Sequence, residues 1–400
     1  MAHDYARPVP PQRGLSDQPS DFVSAAQAAA LLGVRTSTIY AYASRGLLGG
    51  ATRGPGRKAR YPRALVETLR VKAAARAGHA AVAAAALRWG EPVLDSAITR
   101  LSPRGPVYRG QRALDLVGSS FEDVAQWLWQ HPADWSALAP RVPTRAERPS
   151  LLSLIGVVSQ LAPSLRSAPI GRAPAVIRRL ACAAGPHERL AERQGSVAGA
   201  LGVSLRGRPL STRERSWLDA GLVLIADHEL NASTFAARVA TSAGARWPEA
   251  LLAALATATG FRHAAACDAA ERLWAEVRAT RSPRRWVEAR LARGLALEGF
   301  EAGAYPDGDP RGERLLALIS PTLPAPQQTR LRDLLDAAHE LAGQFPSVDL
   351  GLVLLAQRLH FPPGSATLLF VLGRTAGWLA HIEEQAASPD LIRPRARVLT

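Results

Sequence analysis

Ala226-Asp227-His228-Glu229-Leu230-Asn231-Ala232-Ser233-Thr234 is a polar island in a chain that otherwise reads as punctuated helix. On both sides of it apolar residues recur at spacings of three and four, and glycines and prolines mark the breaks, which is the pattern of packed amphipathic helices. From residue 93 to 400 this pattern holds almost throughout, and the short piece Pro106-Val107-Tyr108-Arg109-Gly110 reads as strand. The expected class is all-α. Three further polar clusters follow: Gly260-Phe261-Arg262-His263-Ala264, Tyr305-Pro306-Asp307-Gly308-Asp309-Pro310-Arg311, and Ser347-Val348-Asp349. The last is followed by Leu372-Gly373-Arg374-Thr375-Ala376-Gly377-Trp378 and Ile392-Arg393-Pro394-Arg395. Taken singly each has an ordinary explanation, because a lone histidine in a helical protein is usually a hydrogen-bonded structural residue and most arginines are solvated.

Composition narrows the field. The chain has 400 residues, 47% of them hydrophobic and 21% charged, enough for sizeable cores in two to four domains. No stretch approaches the ~18 uninterrupted apolar residues of a membrane span, so a membrane role is not expected. Residues 1–20 carry charges, four prolines and no apolar run, and read as a disordered tail rather than a signal peptide, which implies a cytoplasmic protein. Cys182 and Cys267 form no CxxC, so neither a zinc cage nor a disulfide framework is expected and no metal site is assigned. Phosphate-loop and GxSxG patterns are lacking, which leaves nucleotide hydrolysis and serine-esterase chemistry unsupported.

The net charge of +15 is carried by 47 arginines and only two lysines, Lys58 and Lys72. That bias resembles codon usage in a G+C-rich genome, so distribution is more informative than the total. Residues 1–77 hold twelve basic and four acidic residues, more than half of the excess, in a fifth of the chain. Within this region Ser24, Gln27 and Gly33 bracket a short helix with a capping-box start and a glycine stop. After a tight turn, residues 35–47 form a second helix, with Ile39, Ala43 and Leu47 facing inward. Residues 49–62 form a glycine-rich cationic hairpin, and a helix is expected from about 63 to 76. Residues 21–76 thus resemble the DNA-binding domain of the MerR-type winged helix-turn-helix family. The resemblance puts Arg35, Thr36, Ser37, Thr38 and Tyr40 at the major groove and Arg53, Arg57, Lys58 and Arg60 on the backbone of double-stranded DNA. A basic hairpin on a small protein-interaction domain is the alternative. Residues 77–92, alanine-rich, read as a helical connector.

In their order and spacing the four polar clusters resemble the citrate synthase family, from about Pro92 to Ala396. Leu94 to Thr99, Tyr108-Arg109-Gly110 and Ser120 to Ala125 are similar to its amino-terminal large-domain segments, and residues 226–233 are the most specific match. The resemblance implies large and small helical domains over 93–400, the small mobile one at about 263–345. It implies a homodimer, no bound cofactor, and an acyl-CoA, usually acetyl-CoA, condensed with oxaloacetate to citrate. By motif position Asp349 is the general base, His263 a neutral donor to the thioester oxygen, and His228 the oxaloacetate ligand, assisted by Asn231. Arg311, Arg374 and Arg393 grip carboxylates, with Arg393 reaching a partner's site.

Two departures stand against this. The family has Gly-x-Gly-His before Tyr-Pro-Asp-Gly-Asp-Pro-Arg, with the histidine polarising the ketone, whereas Gly299 to Tyr305 put Ala302 in that place. Ala264 and Ala265 stand where glycines are usual. Loss of one preorganised donor costs roughly 3–4 kcal/mol of transition-state stabilisation. Three outcomes remain open on sequence: an acyltransferase with a weakened site and an appended DNA-binding domain, a regulator that senses oxaloacetate, citrate or acyl-CoA without turnover, and an inert scaffold.

Overall fold

The computed structural model describes residues 22–32, 34–44, 48, 52–53, 59–62, 65–66, 94–143, 150–300 and 303–394. The expected tail at 1–20, the connector at 77–92, and Arg57, Lys58 and Ala302 lie outside the described residues. The chain divides into two compact units, Met1–Asp95 and Ser96–Thr400.

In the first unit, strand β1 (Phe22–Ser24) leads directly into helix α1 (Ala25–Leu32), which is followed by α2 (Thr36–Ser44) and the strands β2 (Thr52–Arg53) and β3 (Ala59–Pro62). The start of α1 is a capping box: Gln27 N donates to Ser24 Oγ at 3.2 Å and Ser24 N donates to Gln27 Oε1 at 2.9 Å. Such a cap is worth about 0.5–2 kcal/mol. The hairpin strands β2 and β3 pair antiparallel as expected, but β1 also pairs with β3, with Val23 opposite Tyr61. This strand has no counterpart in the sequence pattern, because three residues are too few to show alternation and Ser24 serves both strand and cap. Ile39 packs with Val23, Ala28, Ala29, Leu48, Tyr61 and Val66 in a small core.

The second unit opens with three two-residue strands, β4 (Thr99–Arg100), β5 (Val107–Tyr108) and β6 (Gln111–Arg112), paired antiparallel in that order. The remainder is helical: α3 (Phe121–Trp129), α4 (Leu151–Leu165), α5 (Ala173–Ala183), α6 (Glu188–Ala191), α7 (Val197–Arg206), α8 (Thr212–Leu224), α9 (Ala232–Ser242) and α10 (Trp247–Ala258). Then come α11 (Ala266–Ala279), α12 (Pro283–Ala292), α13 (Pro310–Ile319), α14 (Ala325–Ala342), α15 (Val348–Arg358) and α16 (Ser365–Ala386). The all-α expectation holds for this body. Among the described residues no helix is long and apolar enough to cross a membrane.

Helix α16 is the axis of the body. Every residue from Ser365 to Ile382 is buried, as a helix wrapped on all sides must be, and α3, α8, α9, α10, α11 and α15 pack on it. The loop after α8 docks on it through backbone: Gly377 N donates to Ala226 O at 2.9 Å, and Arg374 Nε to Ile225 O at 2.7 Å. A Cβ at Gly377 would lie 2.2 Å from Asp227 Oδ1 and 2.5 Å from Ala226 O. From the other side Tyr108 Oη accepts from Asp227 N at 3.3 Å and lies within 3.1–3.3 Å of the Val223, Leu224 and Asp227 carbonyls.

Gly377→Ala tests this docking. Alanine gains about 1 kcal/mol of helix propensity over glycine, but the clash is with a backbone oxygen that cannot swing away, and overpacking costs typically 1–3 kcal/mol or more. We expect a lower urea midpoint by tryptophan fluorescence with an unchanged denaturant slope; a stability equal to or above wild type shows that the loop does not sit this close.

Candidate functional site

Three helix N-termini supply most of the site, and each is fixed by its own cap. Asn231 caps α9 and accepts from Ser233 N and Thr234 N, Asp309 caps α13 and accepts from Arg311 N, and Ser347 caps α15 and accepts from Asp349 N. The polar residues that set these clusters apart in the sequence are therefore also local stop-and-start signals. The amide ends of these helices and their dipoles favour anions nearby.

His228 sits in the loop between α8 and α9, partly buried. Its Nε2 lies 3.0 Å from Tyr305 Oη and its ring meets the Tyr305 ring edge-on at 5.6 Å. Tyr305 in turn lies under the Arg311 guanidinium, 5.4 Å from its centroid. Arg311 is buried and forks onto Asp309, with Nε to Oδ1 at 2.9 Å and Nη2 to Oδ2 at 2.8 Å, and Asp309 Oδ2 also accepts from Val348 N at 3.1 Å. Burial alone would lower the Arg311 pKa, but Asp309 more than offsets it and the net shift is upward. Arg374 differs. It is 2% exposed, rests 4.8 Å from the Phe370 centroid, and spends Nε on a carbonyl. Its terminal nitrogens have no partner among the described residues, and burial, with Arg311 adding repulsion against the pull of Asp227, lowers its pKa to about 10.

His263 stands between Phe370, edge-on at 5.5 Å, and Ser233, whose Oγ is 2.6 Å from its Nε2. Burial, reinforced by Arg374, takes its pKa down to about 4. His228 is pushed well below its ordinary value by burial and then by Arg311, Arg374 and His263. Both rings are neutral at pH 7. Asp349 accepts from Ser347 Oγ at 2.9 Å and from Cys267 Sγ at 3.2 Å, and burial raises its pKa despite those donors. The structure thus gathers His228, His263, Asn231, Arg311, Arg374 and Asp349, together with Tyr305, around one electropositive centre. Arg393 does not join them: it is exposed beyond α16, on a segment held to α9 by Ile392 N donating to Ser242 Oγ at 3.1 Å. Among the described residues no group of His, Cys, Asp and Glu could hold a metal ion.

Behind the loop lies a buried relay that the sequence did not disclose. Asp227 and His381, both fully buried, pair at 3.3 Å, His381 Nδ1 faces Arg238 Nη1 at 3.2 Å, and Arg238 also pairs with Glu384. An arginine only donates, so Nδ1 is the acceptor and the His381 proton sits on Nε2, toward Asp227. Separately, in the first unit, Arg35, Thr36 and Ser37 are exposed, Thr38 is half-buried and Tyr40 is 56% exposed, while Ile39 is buried. Arg60 lies half-buried on β3, and Arg53 lies on β2 opposite Ala59.

Residues 160–395 match the family described as citrate synthase, C-terminal domain. The chain belongs to the citrate synthase family. Residues 22–70 match a helix-turn-helix domain. The citrate synthase of Mycolicibacterium smegmatis is 34% identical over 44% of this chain and 48% of its own, and the 2-methylcitrate synthase of Mycobacterium tuberculosis 32% identical over 52% and 53%. The chain therefore spans about half the length of these relatives. In fold it is similar to citrate synthase of Thermoplasma acidophilum in ternary complex with carboxymethyl coenzyme A and oxaloacetate, with a TM-score of 0.68 at 22% identity over 77% of this chain and 94% of that one. Thermotoga maritima citrate synthase is also similar, with a TM-score of 0.64 at 21% identity over 78% and 94%.

Of the residues the sequence left without a role, Ser233, Tyr305 and Trp378 stood inside quoted motifs, and only their partners show what they do. Arg238, Cys267, Phe370 and His381 carried no signal beyond position on a helix.

The neutral histidines give a pH test. An unfolded histidine titrates near ~6.5, so below that pH the unfolded chain takes up a proton that folded His263 refuses until about pH 4. Stability from this residue is complete above ~6.5 and lost as pH falls, at ~1.4 kcal/mol per unit. Raised carboxyls such as Asp219, held at about 7 mainly by burial, act with the opposite sign, so wild type is compared with His263→Gln. The difference in unfolding free energy should shrink by ~1 kcal/mol or more per unit between pH 6 and 4.5; a constant difference means His263 is not held neutral.

Proposed function

We propose that this chain is a citrate-synthase-like, DNA-binding protein whose central site binds oxaloacetate or citrate, with condensation onto an acyl-CoA slowed by the residue at position 302. The observation that carries it is Arg374. A buried guanidinium with open terminal nitrogens, beside a second buried arginine and three helix N-termini, lacks one thing, an anion. Arg311 already has Asp309, so the unmet charge is that of Arg374. A planar carboxylate fits its fork bidentately, and His228 and Tyr305 stand ready to bond the rest of a di- or tricarboxylate.

For chemistry, Asp349 takes a proton from the acyl carbon next to the thioester, the resulting enolate attacks the oxaloacetate ketone to form the new carbon–carbon bond, and water releases coenzyme A as its thiol. The raised pKa of Asp349 makes it a stronger base for that step. By the family's pattern the ketone lacks a donor where Ala302 stands, and one such loss is worth about 10²–10³ in turnover. Two copies acting together, with Arg393 of one serving the other, complete the family's arrangement.

The second reading, a regulator without turnover, is favoured by the first unit: the exposed Arg35 before α2, with Thr36, Ser37 and Tyr40 on it, is a surface for base edges in a MerR-like manner. Linkage then requires that an acid which changes DNA affinity has its own affinity changed by the same factor.

Calorimetry with oxaloacetate and citrate, thiol release with acetyl-CoA and propionyl-CoA, and DNA titration with and without each ligand test both readings. We expect acid binding in wild type and a loss of about 30-fold or more in Arg374→Gln, since breaking a buried charged contact costs ~2–5 kcal/mol. Ala302→His should raise thiol release. Absence of heat with every such acid defeats both readings, and turnover of ordinary size, ~1–10³ per second, defeats the slowed site. Sequence-specific DNA binding indifferent to every ligand removes the sensor alone.

A further inference from the structure

Ser233 Oγ is the hub of a small cluster whose protons can be counted. It lies 2.7 Å from Asn231 Oδ1, 2.6 Å from His263 Nε2 and 2.9 Å from Trp378 Nε1. A hydroxyl has one proton to give and two lone pairs to offer. The indole N–H only donates, so it takes one lone pair. Asn231 Oδ1 accepts the backbone N–H groups of Ser233 and Thr234 at 3.1 and 3.2 Å, which fixes the carboxamide with its oxygen toward Ser233. Two oxygens 2.7 Å apart need a proton between them, and the carboxamide oxygen brings none, so it is the hydroxyl proton. What remains is the contact to His263, too short for two facing lone pairs, and its proton must come from the imidazole.

We infer that Asn231 sets the tautomer of His263: by holding the Ser233 proton it leaves His263 protonated on Nε2 and bare on Nδ1. Asn231 is then a positioning residue that acts through Ser233. Its carboxamide oxygen is fully occupied by the helix cap and the hydroxyl, and it acts on His263 through that oxygen, while its buried Nδ2 has no partner among the described residues. The neutral imidazole turns a lone pair, not an N–H, toward whatever meets Nδ1. A thioester or enolate oxygen arriving there is repelled until the hydroxyl swings from Asn231 to Nε2 and the ring proton moves to Nδ1. That last consequence rests on the proposed place of His263 at the thioester; the tautomer itself does not.

The test is nitrogen-15 NMR of the full chain labelled at its nine histidines, near neutral pH and without ligand, with His263 assigned from the signal lost in His263→Gln. Long-range proton–nitrogen correlations distinguish a protonated ring nitrogen from a bare one. Wild type should show the protonated signal at Nε2. Asn231→Asp, which keeps both the cap and the acceptor, should leave it there. Asn231→Gly, an acceptable cap that offers no acceptor, should move the protonated signal to Nδ1. Protonation at Nδ1 in wild type overturns the inference, as does an Asn231→Gly spectrum identical to wild type. Should the glycine variant fail to fold, the wild-type and Asn231→Asp spectra still decide, since either one showing Nδ1–H is fatal. Calorimetry with oxaloacetate on wild type separates this result from the proposed function, because acid binding through Arg374 is independent of the tautomer.

Discussion

The hydrogen bond from Gly377 N to Ala226 O holds the site to the fold. It takes a backbone donor from the middle of a buried helix and gives it to a loop, which requires that helix and loop approach with no side chain between them. At Gly373 as at Gly377 an added Cβ would fall within 2.8 Å of the loop or the end of α8. The close approach fixes the height at which Arg374 emerges, one turn before Gly377, and the height at which Trp378 meets Ser233. The neighbouring residues Asp227 and His228 are consequently aimed in opposite directions: Asp227 into the buried relay with His381 and Arg238, His228 toward Tyr305. One backbone contact thereby fixes the positions of a cation, a serine and a histidine drawn from two distant segments of chain.

The electrostatic design follows from unequal compensation. Arg311 and Arg374 are both buried, yet one has a carboxylate two residues away and the other has only a carbonyl and a ring face. A fully paired cluster would be stable and inert, whereas an unpaired pair of buried cations would be very costly. Here one charge is neutralised and the second is buried without a carboxylate, and the two histidines stay neutral because burial, reinforced by the cations, disfavours further positive charge. The arrangement tolerates one incoming anion and gains from it.

Legibility in the sequence followed the range of the interaction. The capping residues Ser24, Asn231, Asp309 and Ser347 act within two or three positions, so the same letters that announce a helix start also announced the clusters. Arg374 was legible through the order of the motifs, and its burial within a 22-residue helix shows why a charge there matters. Tyr108, Arg238 and His381 act across more than a hundred residues, and nothing local separates a buried histidine in a relay from a solvated one. Strand β1 failed for the opposite reason, being shorter than the period that would reveal it. Arg393 was assigned by motif position, and in the single chain it lies exposed, where its proposed role needs a second copy.

Recognition and turnover depend on different chemistry in this site, which is why they can separate. In the proposed reading carboxylates are held by permanent charge and helix ends, and these survive whatever stands at position 302. Bond making needs neutral donors placed against oxygens that become negative only in passing, and such donors are worth most where they are already oriented. By motif the ketone's donor is replaced by Ala302, and the hydrogen bonds around Ser233 leave His263 without a proton on its free nitrogen. In the proposed reading the replacement at position 302 removes a donor from a reacting oxygen, and it leaves Arg311, Arg374 and the three helix caps untouched. A site relieved of catalysis but still required to bind its acid would keep its charges and lose its neutral donors, and in the proposed reading a chain that also carries a helix-turn-helix domain has a use for binding alone.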